Sequence, residues 1–201
     1  MSPRKLDKTS KKKEILFAAT KVFAMKGVAN TKMSDIALEA GIGKGTIYEY
    51  FQSKDAIFYE SFRFFMEQTD SLIANRLDKI QNPKAKLEAW IDGWLESLSN
   101  SLDQIGIMMD YWAEGIRSRK EDSAFNIKNI YEKYRQTIKK ILDEGVSLGI
   151  FKPVNTMISA SILIGTLDGL ALQWIMDKNL FRFIEASQIL KDSFLNGLMK
   201  K

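Results

Sequence analysis

The residues whose types and spacing promise chemistry lie between Gly27 and Asp55, in the run GVANTKMSDIALEAGIGKGTIYEYFQSKD. Ile36, Ala37 and Ala40 fall on one face of a short amphipathic helix that Gly41 stops, and Thr46, Ile47, Tyr50 and Phe51 recur at helical spacing in a second. Gly41 can take the left-handed backbone conformation that a tight turn needs, while the small Ala37 and Ala40 let the two helices cross closely. Two short helices joined in this way make a helix-turn-helix. A helix over 44–50 rises about 1.5 Å per residue and so gives roughly 10 Å of reading edge, and the major groove of DNA admits its width. Ser53 stands where it would cap a long fourth helix, with Asp55 in the first turn, where the helix dipole favours an acid.

Composition narrows what else the chain can do. Its 201 residues include no Cys and no His. That excludes a disulfide framework, a thiolate nucleophile, a His general base and the usual zinc ligands, so no metal and no cofactor is expected. Carboxylates, Lys, Tyr and hydroxyls remain. A carboxylate enzyme would have to use a pair such as Asp110 and Glu114, one turn apart on a helix, and such pairs ordinarily face solvent. The charge is uneven: residues 1–55 hold 11 Lys and Arg against 6 Asp and Glu, whereas the remainder holds 19 of each. An excess confined to the first quarter points to a polyanion, either nucleic acid or an anionic membrane surface. Arg4, Lys5, Lys8, Lys11, Lys12 and Lys13 would form a basic arm.

Those residues must be positioned by helices, because no stretch alternates like a strand for long enough to compete. The periodicity predicts an all-α chain of about nine helices, near 9–26, 33–40, 44–50, 54–81, 84–101, 103–118, 123–148, 153–177 and 181–199. Pro83 and Pro153 fit the first turns of new helices, and Gly27, Gly41 and Gly149 mark stops. Glu14, Thr20 and Lys21 interrupt the apolar run after the basic N-terminus, leaving no signal-peptide core. The most apolar window, Met157 to Met176, contains Asp168 and Gln173 and reads as a buried helix, so a cytoplasmic protein is expected.

From Ile15 to Phe58 the residues run I-L-x-A-A-x-x-x-F, K-G-x-x-x-T, I-A-x-x-A-G-I, K-G-T-I-Y-x-Y-F and S-K-D-x-I-F. This stretch resembles the DNA-binding domain of the TetR family of bacterial transcriptional regulators. Farther on, EGVSLGIFKP followed by GTLDGLALQW is a pattern familiar from the same family. The resemblance implies a three-helix DNA-binding domain over 9–55, with its helix-turn-helix at about 33–52, and a helical ligand-binding and dimerisation domain over 56–201.

It also implies roles that the residues can fill. Lys44 would contact a phosphate or a guanine edge, with the amides of Gly43 and Gly45 approaching phosphate unobstructed. Thr46 would meet base edges, Tyr48 and Tyr50 the sugar-phosphate backbone, and Lys54 a phosphate at the start of the fourth helix. Lys32 or the amide of Met33 would add a further backbone contact. Two positions depart from the common pattern. Gly43 replaces a frequent capping Ser, and Glu49 stands where an aromatic or basic residue often touches backbone, so its carboxylate would be repelled by phosphate unless it accepts from a cytosine amine or turns away.

Members of this fold bind palindromes as dimers, with recognition helices about one turn of DNA, roughly 34 Å, apart. Helices over 153–177 and 181–199 would supply the dimer surface. Ile162, Gly165, Thr166, Gly169 and Leu170 allow close approach on the first, and Phe183, Ile184, Ile189, Leu190, Phe194 and Leu198 form an apolar stripe on the second. Between head and dimer helices lie large adaptable side chains suited to an apolar cavity: Phe62, Phe65 and Met66, then Trp90 and Trp94, Met109 and Trp112, Tyr131 and Tyr134, and Trp174. Asp110, Glu114, Asp168 and Gln173 are candidate orienting groups. Few bases point there, which favours a small organic, apolar or weakly cationic ligand over a polyanion; a long acyl chain fits. The implied mechanism is repression, relieved when a ligand displaces the fourth helix. An activator, a ligand-independent regulator and a basic membrane-surface protein are the alternatives.

Overall fold

The computed structural model describes residues 3–101, 106–117 and 126–200, with side chains from Lys8 onward. Among the described residues the chain is all-α: α1 (Pro3–Lys26), α2 (Met33–Glu39), α3 (Lys44–Tyr48), α4 (Lys54–Leu77), α5 (Pro83–Ser99), α6 (Met108–Arg117), α7 (Ile127–Ser147), α8 (Thr156–Met176) and α9 (Phe183–Leu198).

The helix boundaries follow the chemistry of their ends. Gly27, Gly41 and Gly149 all have positive φ, at 74°, 63° and 69°, as the stop positions require. At Gly41 the Ile42 amide donates to Ala37 and the Gly41 amide to Leu38, which closes α2 in a Schellman turn. The Ser53 hydroxyl accepts from the Ala56 amide at 3.1 Å and caps α4 as expected. Asn82 and Asn155 cap α5 and α8 through their side chains. Pro83 begins α5. Pro153 does not begin α8, which starts three residues later behind its Asn155 cap.

Two ends depart from the periodic pattern. Helix α1 reaches back to Pro3, so the basic segment is helical and not a loose arm. Helix α3 stops at Tyr48, earlier than expected, because the Glu49 and Tyr50 amides turn to Thr46 and Ile47 at 3.1 Å each and tighten the last turn. Tyr50 therefore lies just outside the helix.

Two compact units form. The first is built from residues up to Glu67 together with α6; the second from Gln68–Ser101 and the chain from Asn126 onward. The division falls inside α4 and not near residue 55. Its cause is visible in the rings, since Phe58 packs on Phe23 and, with Phe62, on Tyr111 of α6 at 4.5 and 4.4 Å. Ile15, Ala19, Ile36, Ile47 and Ile57 are fully buried in the first unit. In the second, α7 packs on α8 and α5, with Leu87, Ile91, Ile138, Leu142 and Leu163 at its centre. Where α7 ends, a Cβ on Gly145 would lie 2.1 Å from the Phe151 ring, so that position must be glycine for the ring to seat. Phe151 pairs with Met199, and the Lys152 amide donates to the Leu198 carbonyl at 2.8 Å.

Candidate nucleic-acid interface and effector region

Helix α3 is held from beneath by Ile47 and by Phe51 just beyond it, both buried. That anchoring turns Gly43, Lys44 and Gly45 to the surface, leaves Thr46 and Tyr50 half-buried, and exposes 49% of Tyr48. Gly43 is the N-cap and supplies no side-chain bond, as its lack of a hydroxyl predicts. Glu49 is also exposed. The N-terminus of α2 already has an anion of its own. Asp35 accepts the Lys32 amide at 3.0 Å and faces Lys26 at 3.4 Å. The backbone hydrogen bond from Lys32 holds the Asp35 carboxyl below the usual carboxylate range, although burial opposes it. Lys32 keeps an exposed side chain, and Met33 is half-buried.

The other lysines are more committed than the sequence suggests. Lys54 donates to the carbonyls of Val28 at 2.6 Å and Ala29 at 3.1 Å. It staples the loop between α1 and α2 to the start of α4, which spends two of the three donors expected to clamp a phosphate. In α1, Lys12 pairs with Glu60 at 2.7 Å and lies over the Phe51 ring. Lys11 pairs with Glu14, while Lys8 and Lys13 sit over Tyr50 and Phe64. Part of the basic segment is thus fastened to its own unit.

The aromatic residues expected around a ligand do not gather in one place. In the first unit Phe62 and Phe65 are buried and Met66 and Trp112 half-buried, whereas Met109 is 41% exposed and turns away from that core. Asp110 is exposed, and Glu114 accepts from the Tyr59 hydroxyl at 3.2 Å. In the second unit Trp90 meets Tyr134 edge to face at 5.8 Å, and Trp94 is buried one turn along α5. Tyr131, on the same face of α7 as Tyr134, donates to Asp168 at 2.7 Å. Burial pushes the Asp168 carboxyl up to about 6, against the opposing effect of that hydrogen bond. Trp174 instead packs on Phe183 at 5.2 Å, and Gln173 is exposed with its amide on the Gly169 carbonyl.

The family profile for bacterial regulatory proteins of the tetR family matches residues 15–60, and that for the C-terminal region of YsiA-like proteins matches residues 58–197. The chain belongs to the TetR family. The fatty acid metabolism regulator protein of Bacillus subtilis is 24% identical over 196 residues, covering 96% of this chain and 98% of its own. The transcriptional repressor KstR2 of Mycobacterium tuberculosis is 28% identical over 144 residues, 72% of this chain and 70% of its own. The structure of the regulator FadR from Bacillus subtilis in complex with stearoyl-CoA superposes with a TM-score of 0.75 at 24% identity, covering 92% of this chain and 97% of that one. The protein is therefore a transcriptional regulator, and its relatives are regulators and not enzymes.

In this TetR-family chain the expected dimer helices divide their faces differently from the sequence reading. On α8, Ile162 is 56% exposed, Gly165 and Thr166 are exposed, and Gly169 and Leu170 are half-buried. On α9, Phe183 is only 8% exposed and Leu190 is likewise buried, so both serve their own core; Phe194 is half-buried. Their neighbours Ile184 and Ile189 point outward instead. Helix α8 was expected to be buried, yet only a third of its most apolar window is. By length and composition it is the one helix among the described residues apolar enough to cross a membrane. Its uncovered side is the same Ile158 and Ile162 stripe.

A cleft of about 520 Å³ beside α5 and α9 was not foreseen. Asp92 accepts from Lys191 and Ser187 there, at 2.8 and 2.5 Å, and Arg76 pairs with Glu96. The signal was present in outline: Asp92 and Glu96, and Ser187 and Lys191, are each one turn apart. Nothing in a linear pattern pairs one helix with the other.

Proposed function

We propose that this regulator is a cytoplasmic homodimeric repressor that binds a palindromic operator through α3 and is released by a small organic, apolar ligand in its second unit. The observation that carries the DNA reading is the outward set on α3, where Lys44 and Tyr48 are exposed and Thr46 half-buried above an anchor of Ile47 and Phe51. Lys44 supplies charge for a phosphate or guanine edge, Gly43 and Gly45 permit close backbone approach, and Thr46 and Tyr48 supply hydroxyls. Tyr50 and Lys32 lie to either side. Lys54 contributes mainly by fixing the loop that carries Lys32 and Met33.

A single short helix reads too few bases to find one site, which calls for two copies about one turn of DNA apart. The exposed α8 side with Ile162, Gly165 and Thr166 supports pairing there, joined by Ile184 and Ile189 of α9. Repression is supported by the relative named as a repressor, and an apolar organic ligand by the stearoyl-CoA in the FadR complex. The ligand would bind among Trp90, Trp94, Tyr131 and Tyr134 and act through α4. A difference of about 1–3 kcal/mol between the two dimer states weakens operator binding roughly five- to 150-fold.

Selection of bound fragments from random duplex DNA tests the reading. Enrichment of one palindrome with a steep salt dependence is the expected result. Binding without sequence preference would overturn it.

A further inference from the structure

In the second unit most acids that reach a helix contact meet a cation. Asp92 meets Lys191 at 2.8 Å, Glu144 meets Lys86 at 2.8 Å, Asp70 meets Lys133 at 2.5 Å, and Glu96 meets Arg76. Asp168 is different. It sits in the middle of α8, half-buried, and what acts on it is partial burial and the Tyr131 hydroxyl at 2.7 Å. A carboxylate taken from water without a counter-charge is costly, and one phenol offsets only part of that cost.

Further aromatic side chains adjoin its partner Tyr131. Tyr134 lies one turn along α7 from Tyr131, and its buried hydroxyl faces Asp70 without a well-formed hydrogen bond. Trp90 stands edge to face with Tyr134 at 5.8 Å, and Trp94 is buried one turn farther along α5. Ring faces carry negative quadrupole charge and attract cations, most strongly where water is excluded. A half-buried acid whose tyrosine partner adjoins such rings is the complement of a positive head on an apolar body. An anionic head would meet the opposite: like charge from Asp168, and lysines already committed to Asp70 and Glu144.

We infer that the corner formed by Asp168, Tyr131, Tyr134 and Trp90 receives the cationic head of the effector, an amine or quaternary ammonium carried on an apolar body. This rests on the reading that an organic effector binds in the second unit, and it specifies the effector's charge.

Three probes of equal chain length separate the two claims: decyltrimethylammonium, decanoate and 1-decanol, each titrated below its aggregation concentration into the full chain with tryptophan fluorescence as readout. The expected result is one saturable site per chain, with the ammonium bound about tenfold tighter than the alcohol and the carboxylate weakest. Asp168→Asn removes the preference for the ammonium while leaving decanol affinity within about twofold and helix content unchanged. The order of the three affinities in the unaltered chain tests the charge assignment by itself and covers the case in which the Asn variant fails to fold. Equal binding of the cation and the anion, or a cation preference that survives in Asp168→Asn, would overturn the charge assignment while retained decanol binding upholds the effector reading. Failure of all three probes to bind would overturn both.

Discussion

The ammonium of Lys54 lies 2.6 Å from the carbonyl oxygen of Val28, joining the first turn of α4 to the loop that leaves α1. A lysine in that place has two possible jobs, which salt separates. A phosphate contact releases counterions, whereas a loop staple does not. Lys54→Met removes both carbonyl contacts and should weaken operator binding at least about tenfold, without changing the slope of log affinity against log salt. A slope reduced by about one would restore Lys54 to the phosphate-binding set.

Lys44→Ala is the counterpart. Its side chain is exposed, so the melting temperature should hold. Operator affinity should fall by about 1–3 kcal/mol if a guanine edge is lost, with relaxed preference at that base, or the salt slope should drop by about one if the contact is a phosphate. Unchanged affinity would mean that α3 is not the reading element.

Asp168 gives the second unit a pH dependence whose sign can be worked out. Its carboxyl titrates near 6 in the fold, above the ordinary value of 3.8. The native state therefore holds a proton that the unfolded chain releases sooner. The resulting stability is present in full below about pH 4 and is lost as pH rises through about 6. Urea unfolding should show the parent chain losing about 2 kcal/mol over that interval relative to Asp168→Asn. Parallel curves for the two proteins would contradict the burial of the acid.

At the end of α7, Gly145→Ala would drive a methyl into the Phe151 ring. Overpacking of that kind costs about 1–3 kcal/mol. A lowered melting temperature, partly recovered by adding Phe151→Leu, is the expected pattern in thermal unfolding. Loss without recovery would place the strain elsewhere.

Ile162→Arg and Phe183→Ala probe the division between surface and core on α8 and α9. The first puts a charge on a side chain that is 56% exposed, and sedimentation should show a folded chain shifted to monomer. The second removes a ring that is 8% exposed and packs on Trp174, so it should lower stability by about 3–5 kcal/mol. Dimerisation untouched by Ile162→Arg would send the interface to another face.

The contrast between these two residues shows where the sequence was legible. The helix-turn-helix could be read because its determinants are local: Gly41 must turn left-handed, and Ile36, Ile47 and Phe51 must point inward at helical spacing. The α9 stripe was equally visible, but period alone does not say which edge of a broad stripe meets its own core. Phe183 went inward and Ile184 outward, one residue apart. The carbonyl contacts of Lys54 were hidden for a related reason. Its partners lie 26 and 25 residues earlier, and backbone carbonyls leave no trace in residue type. The aromatic residues were correctly seen as interior, yet assigning them to one cavity required knowing that Trp174 turns to Phe183 and Trp90 to Tyr134.

The bare side of α8 has a consequence for an unpaired subunit. Ile158, Ile162 and Met176 would face water in any unpaired subunit, and contiguous apolar surface of that kind adheres to other surfaces and invites aggregation. Pairing through this face, as proposed above, would take those side chains out of water.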